Sequence, residues 1–199
     1  VALADMDIVN PYFRSADSRD ALEAAGVTLV CSPYAGSNVD LPALPKELYG
    51  VTEDKNQYAV LDVGGDDRGA VALGRYAPAI RAENDYGMLF VTNFYRPLTQ
   101  TPEDALAVMR EIEAACGLPC TALVNNSNLG TDTAAADVLR TLERMERLSA
   151  MAGLPVAMTA VMGRLYEELS GKVPEAYEIL PQTDETAAVR RERNGKGNV

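Results

Sequence analysis

Short apolar runs alternate along this chain with segments of helical periodicity, and this alternation limits the fold more than any other feature of the sequence. The runs are Val1-Ala2-Leu3-Ala4, 27–31, 58–61, 87–92, 121–124 and 155–161. Continuous apolar runs of this length are typical of strands that are buried on both faces, as in a parallel sheet. The sequence therefore predicts an α/β fold, with a mostly parallel sheet that carries helices on both faces.

Three segments between these runs have the periodicity and the end signals of helices. The clearest helix has Thr101 as its N-cap, Pro102 at its first position and Gly117 beyond its last turn. A longer amphipathic helix is predicted over about 132–152, and a short one over 18–25. This alternation of strands and helices suits right-handed crossover connections between parallel strands.

The length and composition of the chain limit its domains and its location. Its 199 residues suit one well-buried domain, which we place at 1–182, followed by a polar and disordered tail at 183–199. No apolar run approaches the roughly 18 residues that span a membrane, and no signal peptide is evident, so we expect a cytoplasmic protein. The net charge of −11 argues against a broad nucleic-acid surface.

The residue types that are missing from the chain exclude several classes of enzyme. There is no histidine, which removes His-based triads, a His general base and the usual zinc sites. The three cysteines, Cys31, Cys116 and Cys120, have no C-x-x-C spacing and are expected to be reduced structural thiols. Any catalysis must therefore rest on carboxylates, Lys or Arg, backbone amides or a bound metal.

Polar residues that suit a magnesium and phosphate site stand where the predicted strands end. Asp5 and Asp7 follow the first strand, while Asp62 and the pair Gly64-Gly65 follow the third. Strand carboxyl ends meet at one edge of an open α/β sheet, where ligands bind. Carboxylate oxygens are good Mg²⁺ ligands, and glycine lets backbone N–H groups approach a phosphate. Taken singly, each aspartate could instead cap a helix, and the glycines could form a plain turn.

Two adjacent asparagines, Asn125 and Asn126, end the fifth predicted strand. An amide offers both a donor and an acceptor, which suits the edge of a purine base. Taken alone, such a pair is more often part of a loop that hydrogen-bonds to its own backbone. It is the order and spacing of all these motifs together that favours a ligand site.

In this order, the strand-end motifs resemble those of P-loop ATPases of the ParA/MinD type, which belong to the SIMIBI class. The matching segments are Asp5-Met6-Asp7, Asp62-Val63-Gly64-Gly65, 89–93 and 123–126. The stretch 7–14 is similar to that of one subgroup of ParA-like nucleotide-binding proteins. The resemblance extends from Val1 to about Pro181, which is nearly the whole chain.

The resemblance implies that the intact parent protein binds ATP and Mg²⁺. Asp7 would orient the attacking water, Asp62 would hold Mg²⁺, and Asp5 would support the magnesium end of its own strand. Gly64 and Gly65 would present backbone amides to the γ-phosphate. The implied chemistry is therefore positioning and charge neutralisation, as in other phosphoryl transfers.

The resemblance also implies what the protein binds besides magnesium. Asn125 would contact the adenine base, with Asn126 as a second base-binding residue. Such ATPases switch their dimer state or their partner with hydrolysis. The expected partners are therefore a nucleotide and a second copy of the chain in a homodimer.

One part of the family's pattern is absent from this sequence. The family begins with a strand, a Gly-rich loop containing Lys and Ser or Thr, and a helix, and this unit is expected before Val1. Neither Gly-Lys pair of the chain, at 171–172 or 195–196, completes a G-x-x-x-x-G-K-[ST] motif. Because that loop makes most of the phosphate contacts, we predict that this chain alone neither binds ATP tightly nor hydrolyses it.

The absence of that unit also affects the predicted sheet. Its strand is expected to lie beside both the Asp5 strand and the Asp62 strand. Without it, the sheet would have a gap or two exposed edges. We expect the chain to close this gap by shifting its strands, or to fill it by forming a homodimer.

The sequence leaves two functions open, and with them the question of whether this chain is an enzyme. In the first, the chain is the larger part of an ATPase whose intact parent binds ATP and Mg²⁺. In the second, it is a paralogue without a P-loop that acts as a non-catalytic binding or scaffold protein. An ATP-dependent amidoligase-type member of the same class is a further alternative, which would need a pocket for a substrate carboxylate or amine.

Overall fold

The computed structural model describes residues 1–6, 15–31, 50–51, 56–65 and 67–180 of the chain. These residues form two compact units, whose described parts lie within Val1–Ala82 and Glu83–Pro181. Both units contain parallel strands flanked by helices, so the predicted α/β class with parallel strands is confirmed. The predicted tail at 183–199 lies outside the described residues, and the assignment of 1–182 to a single domain stays a prediction.

The first unit is built on a three-stranded parallel sheet with the order β2-β1-β3. Its strands are β1 (Ala2–Asp5), β2 (Thr28–Val30) and β3 (Ala59–Asp62). Its helices are a 3₁₀ helix (Ser15–Ser18), α1 (Arg19–Ala24), α2 (Asp67–Gly74) and α3 (Ala77–Glu83). The central strand β1 contributes Ala2, Ala4 and Met6 to the buried interior, as its continuous apolar sequence predicts.

Both sides of β1 are occupied by strands of this chain. Ala2 pairs with Thr28 of β2 on one side, and Asp5 pairs with Asp62 of β3 on the other. No gap therefore separates the Asp5 and Asp62 strands here, and the place of the absent strand in the intact parent stays a prediction. The outer edge of β3 has no strand partner among the described residues, so a strand beside Asp62 stays a prediction.

The second unit is built on a four-stranded parallel sheet with the order β4-β5-β6-β7. Its strands are β4 (Leu89–Thr92), β5 (Ala122–Asn125), β6 (Val156–Met162) and β7 (Ala176–Ile179). Its helices are α4 (Pro102–Cys116), α5 (Ala135–Ala152), α6 (Gly163–Leu169) and two 3₁₀ helices, Pro97–Thr99 and Gly130–Asp132. Each strand predicted from an apolar run is present, whereas β7 and α6 were not predicted.

The ends of the two long helices follow the predicted capping chemistry. The Thr101 hydroxyl accepts a hydrogen bond from the backbone N–H of Asp104 at 3.1 Å, which satisfies one of the free donors at the start of α4. Gly117 and Gly153 follow α4 and α5 in the left-handed conformation, with φ of 74° and 70°. Glycine adopts this conformation without the steric penalty of a Cβ atom, so both helices end where expected.

Helices α4 and α5 pack against each other and close the main core of the second unit. Buried apolar side chains from both helices and from in or beside β4 and β5 meet there, and each Phe, Met or Leu among them contributes about 1.5–3 kcal/mol through its removal from water. This cluster contains Phe90, Phe94, Ala105, Met109, Cys120, Leu123, Met145 and Leu148. A second cluster joins α5, β6 and α6 through Val138, Val161, Met162, Leu165, Leu169 and Val173.

Cys120 belongs to this core, and its thiol is unreactive at neutral pH. Its backbone N–H donates to Glu113 Oε1 at 2.7 Å, which holds a carboxylate beside the thiol. Burial, together with the charge of Glu113, raises the pKa of the Cys120 thiol from 9.0 to about 12. The thiol therefore stays protonated at neutral pH, and all three cysteines of the chain are free, as expected for structural thiols.

Replacing Cys120 with alanine is expected to reduce the loss of stability in alkali. The folded thiol keeps its proton to higher pH than the unfolded one. Its contribution to the free energy of unfolding is therefore complete below pH 9 and is lost as the pH rises towards about 12. Between about pH 8 and about pH 10, the wild type should lose about 1 kcal/mol more unfolding free energy than Cys120→Ala. Denaturant unfolding at both pH values measures this, with Cys31→Ala as the control, and equal losses would contradict it.

Candidate functional site

The register of the first sheet brings two predicted metal ligands side by side. Asp5 of β1 pairs directly with Asp62 of β3, and paired residues of neighbouring parallel strands project from the same face. Asp5 is 1% exposed, whereas Asp62 is half-buried. The structure therefore joins Asp5 and Asp62 at the carboxyl end of the sheet, while the predicted catalytic residue Asp7 lies outside the described residues.

The 3₁₀ helix that begins at Ser15 contacts both of these carboxylates. The Ser15 hydroxyl donates to Asp62 Oδ2, and the backbone N–H of Ala16 donates to Asp5 Oδ2 at 3.1 Å. Hydrogen bonds to a charged acceptor are among the stronger ones, so they help to hold two neighbouring carboxylates in place. Ser15 could not be predicted from sequence, because the contact depends on the path of the chain and not on a local motif.

The Gly64-Gly65 pair connects β3 to α2, and the two glycines differ in their surroundings. A Cβ atom added at Gly69 of α2 would lie 2.6 Å from the carbonyl oxygen of Gly64, so the helix rests directly on the Gly64 backbone. A Cβ atom added at Gly65 would meet nothing within 4 Å. The backbone of Gly64 is therefore fixed by packing, whereas there is space beside the Cα atom of Gly65. That the two glycines contact phosphate stays a prediction.

The donor atoms at this strand end fit a hard divalent cation by their chemistry. Asp5, Asp62 and Ser15 offer carboxylate and hydroxyl oxygens, which are the ligands that Mg²⁺ prefers. Within the described ranges, no group of three or more His, Cys, Asp or Glu side chains is placed to hold a metal ion. Two nearby acidic residues, Asp7 and Asp66, are outside those ranges.

In the second unit, the predicted base-binding residue Asn125 makes buried hydrogen bonds that link neighbouring elements. Its side chain is fully buried; Nδ2 donates to the Thr141 hydroxyl at 3.0 Å, and Oδ1 accepts from the backbone N–H of Ser127 at 3.2 Å. The Ser127 hydroxyl in turn accepts from the backbone N–H of Phe94 at 3.0 Å. Asn125 therefore ties the end of β5 to α5 and, through Ser127, to the segment after β4.

The loop after β5 is held in place by Asn128 and Arg164, which the sequence did not single out. Asn126 is half-buried, and its side-chain oxygen accepts from Asn128 Nδ2 at 3.1 Å. Arg164 of α6 donates to the carbonyl oxygens of Thr131, at 2.8 Å, and of Thr133. The composition of 125–133, rich in Asn, Ser, Thr and Gly, signals a hydrogen-bonded loop, but Arg164 comes from a helix that was not predicted.

A row of buried polar side chains crosses the second sheet at the same level as Asn125. Thr92 of β4 and Thr159 of β6 pair with Asn125 on either side, and both are at most 2% exposed. Among the side chains that the structure describes, Thr92 Oγ1 is buried without a hydrogen-bond partner. Since an unpaired buried hydroxyl costs free energy, Thr92 and Thr141 should respond in opposite ways to loss of their hydroxyl groups.

Comparisons with models of known protein families, with curated proteins and with solved structures found no match to this chain. The described helices include none that is long and apolar enough to cross a membrane. The chemistry of the strand ends is therefore the basis on which a function can be proposed.

Substitution of Gly69 by alanine is expected to destabilise the first unit. The added methyl group would overlap the Gly64 carbonyl, and overpacking of this kind costs about 1–3 kcal/mol. The matched control is Gly65→Ala, where the methyl group has open space and the unfolded chain loses entropy, so stability should be unchanged or slightly higher. Thermal unfolding of the two variants tests this, and equal melting temperatures would show that the Gly64–Gly69 contact is not tight.

The same Thr→Val change is expected to have opposite effects at two buried positions. Thr141→Val leaves Asn125 Nδ2 without its acceptor and should lower the unfolding free energy by about 1–3 kcal/mol. Thr92→Val removes an unpaired hydroxyl from a strand and should leave stability unchanged or raise it. Chemical denaturation distinguishes the two; a larger loss for Thr92→Val would refute the assigned hydrogen bonds.

Proposed function

We propose that this chain is the larger part of a ParA/MinD-type ATPase whose intact form binds ATP and Mg²⁺. The observation that supports this best is the side-by-side position of Asp5 and Asp62 at the carboxyl ends of adjacent parallel strands, with a Gly-Gly turn directly after Asp62. Carboxylates followed by glycines at this edge of a sheet suit a metal and phosphate site. On its own, the chain is proposed to bind ATP weakly and not to hydrolyse it.

In this proposal, Asp62 is the carboxylate that faces the ligand, and Asp5 supports it. Asp62 is half-buried and receives the Ser15 hydroxyl, whereas Asp5 is 1% exposed and held by the backbone N–H of Ala16. When bound, Mg²⁺ would neutralise charge on the phosphate oxygens. Ser15 orients Asp62 for this role, and Asp7 is proposed to orient the attacking water.

The phosphate-binding role is assigned to the turn between β3 and α2. Gly64 is pressed against Gly69, so its backbone is held in one position. Gly65 has no atom near the place of a Cβ, so its backbone can be approached closely. Fixed backbone donors of this kind stabilise charge without reorganising, which is what phosphoryl transfer requires.

The phosphate-binding loop itself is proposed to belong to a preceding strand-loop-helix unit that pairs with the outer edge of β3. That edge has no strand partner among the described residues. Tyr58 is 84% exposed and Val60 is 48% exposed, although the sequence of this strand is typical of one that is buried on both faces. An added strand and helix would cover such apolar residues; a second copy of the chain in a homodimer is the alternative cover.

A non-catalytic binding or scaffold role is the second candidate, and the hydrogen bonding of the strand ends favours it. Asp5, Asp62 and Asn125 all have partners within the chain. Side chains that are already bonded in this way can serve the fold alone. The choice between the two candidates therefore depends on whether the intact parent binds nucleotide.

Calorimetry with Mg²⁺ and ATP, on this chain and on the gene product that includes an upstream P-loop, tests the proposal. Loss of four or five hydrogen bonds to charged oxygens, at about 1.5–3 kcal/mol each, should weaken binding by this chain by several orders of magnitude. In the longer protein, Asp62→Asn should weaken Mg²⁺-dependent binding, whereas the exposed control Asp20→Asn should not.

Three results would decide the question. A micromolar dissociation constant for this chain alone would refute the prediction that it binds ATP weakly. Binding by the longer protein only would support the ATPase, and Asp7→Ala should then abolish hydrolysis while it preserves binding. Binding by neither would leave the scaffold role.

A further inference from the structure

The hydrogen bond between Ser15 and Asp62 leaves the two oxygens of the carboxylate in different states. A carboxylate can only accept hydrogen bonds, so the Ser15 hydroxyl is the donor and its proton points at Asp62 Oδ2. Asp62 Oδ1 has no hydrogen-bond partner among the residues that the structure describes. Asp62 is half-buried and so keeps contact with solvent, which makes Oδ1 the oxygen that is left to bind a ligand.

The Ser15 hydroxyl is held at this place by contacts that do not involve its own side chain. The backbone N–H of the next residue, Ala16, donates to Asp5 Oδ2 at 3.1 Å, and Asp5 is 1% exposed. Further along the same segment, Arg19 donates to Cys31 Sγ at 2.8 Å, directly after β2. The segment is therefore anchored at the ends of β1 and β2 as well as at β3, which fixes the position of the hydroxyl.

These anchors are important because the segment has little apolar packing of its own. No residue of the 3₁₀ helix Ser15–Ser18 or of α1 is buried. The segment is therefore placed mainly by its polar contacts with the strand ends. Loss of the Ser15 hydroxyl alone would leave the contacts of Ala16 and Arg19 intact, and with them the position of the segment.

A cation that used both oxygens of Asp62 would meet the proton of the Ser15 hydroxyl. That proton carries a partial positive charge and already lies against Oδ2, so it repels a cation at the same oxygen. Displacing the hydroxyl would break a hydrogen bond to a charged acceptor, which is among the stronger ones. Asp62 is therefore set to bind a cation through Oδ1 alone.

The number of available carboxylate oxygens distinguishes between the two common hard cations. Ca²⁺ takes about six to eight oxygen ligands in a flexible geometry, and carboxylates often give it both of their oxygens. Mg²⁺ is smaller, keeps several of its waters and needs few protein ligands. A carboxylate that is limited to one oxygen therefore favours Mg²⁺ over Ca²⁺.

We propose that Ser15 is a specificity-determining residue, which restricts Asp62 to coordination through one oxygen and so makes the site select Mg²⁺ over Ca²⁺. This inference rests on the proposed function, in which Asp62 holds the metal. It gives Ser15 a task beyond orienting the carboxylate, namely the exclusion of the larger ion.

Magnesium chloride and calcium chloride, added separately to the ¹⁵N-labelled chain, test this without any nucleotide. The backbone N–H of Ala16 is the reporter, because it is bonded to Asp5, the residue that pairs with Asp62 in the sheet. The wild type should bind Mg²⁺ at least as tightly as Ca²⁺. In Ser15→Ala, the dissociation constant for Ca²⁺ should fall about tenfold relative to that for Mg²⁺, because the competing proton is gone.

Three further variants separate this role from a structural one. Ser15→Thr keeps a hydroxyl and should retain the wild-type ratio of the two dissociation constants. Asp62→Asn should abolish the shift of the Ala16 signal with both ions, which checks that the signal reports this site. Ser170→Ala, an exposed change in the second unit, is the control and should leave both dissociation constants unchanged. Melting temperatures confirm that each variant is folded.

The results either support the inference or overturn it. A Ca²⁺ affinity that rises in Ser15→Ala and returns to the wild-type value in Ser15→Thr supports it. It is overturned if Ser15→Ala keeps the wild-type ratio, if Ser15→Thr behaves like Ser15→Ala, if the wild type binds Ca²⁺ more tightly than Mg²⁺, or if neither ion shifts the Ala16 signal.

Calorimetry on the longer protein keeps this result apart from the proposed function. If that protein binds Mg²⁺ and ATP while Ser15→Ala keeps the wild-type ion ratio, the selective role of Ser15 fails and the proposed function stands. If the longer protein binds no ATP, the proposed function fails, and the ion ratio of this chain still decides the role of Ser15.

Discussion

The parallel pairing of β1 with β3 is the constraint on which the chemistry of the first unit depends. Side chains alternate between the faces of a strand, so a slip of this register by one residue would send Asp5 and Asp62 to opposite faces. Ala2 and Ala4 are almost completely buried, and their burial specifies the register. The two carboxylates therefore meet because the burial of Ala2 and Ala4, one and three positions before Asp5, favours this register.

The second unit handles the polar ends of its strands differently, because its strand ends lie under a helix. In the sheet, Asn125 is paired with a threonine on each neighbouring strand. Its side-chain amide hydrogen-bonds to the Thr141 hydroxyl and to the backbone N–H of Ser127. Burial favours such pairing, since an unmet donor in the interior costs about 1–3 kcal/mol.

Much of this architecture could be predicted from sequence, and the failures have identifiable physical causes. Continuous apolar runs revealed β1 to β6, whereas β7 was missed because Glu178 interrupts its apolar run. The order β2-β1-β3 was not predicted, because the order of strands in a parallel sheet is set by crossover connections and not by order along the chain. Strand polarity predicts that Asp5 and Asp62 lie at the same edge of the sheet, but their direct pairing was not predicted, because the resemblance implied an absent strand beside both of their strands. The burial of Asn125 was also missed, because it depends on a partner in another element.

Because the backbones of Gly64 and Gly69 are in tight contact, the turn after β3 and helix α2 move together. There is no side chain between the two backbones to absorb a displacement, and the inner face of the helix is anchored by Ala70 and Leu73, which are 0% and 5% exposed. A displacement of the Gly64 backbone would therefore be passed directly to helix α2.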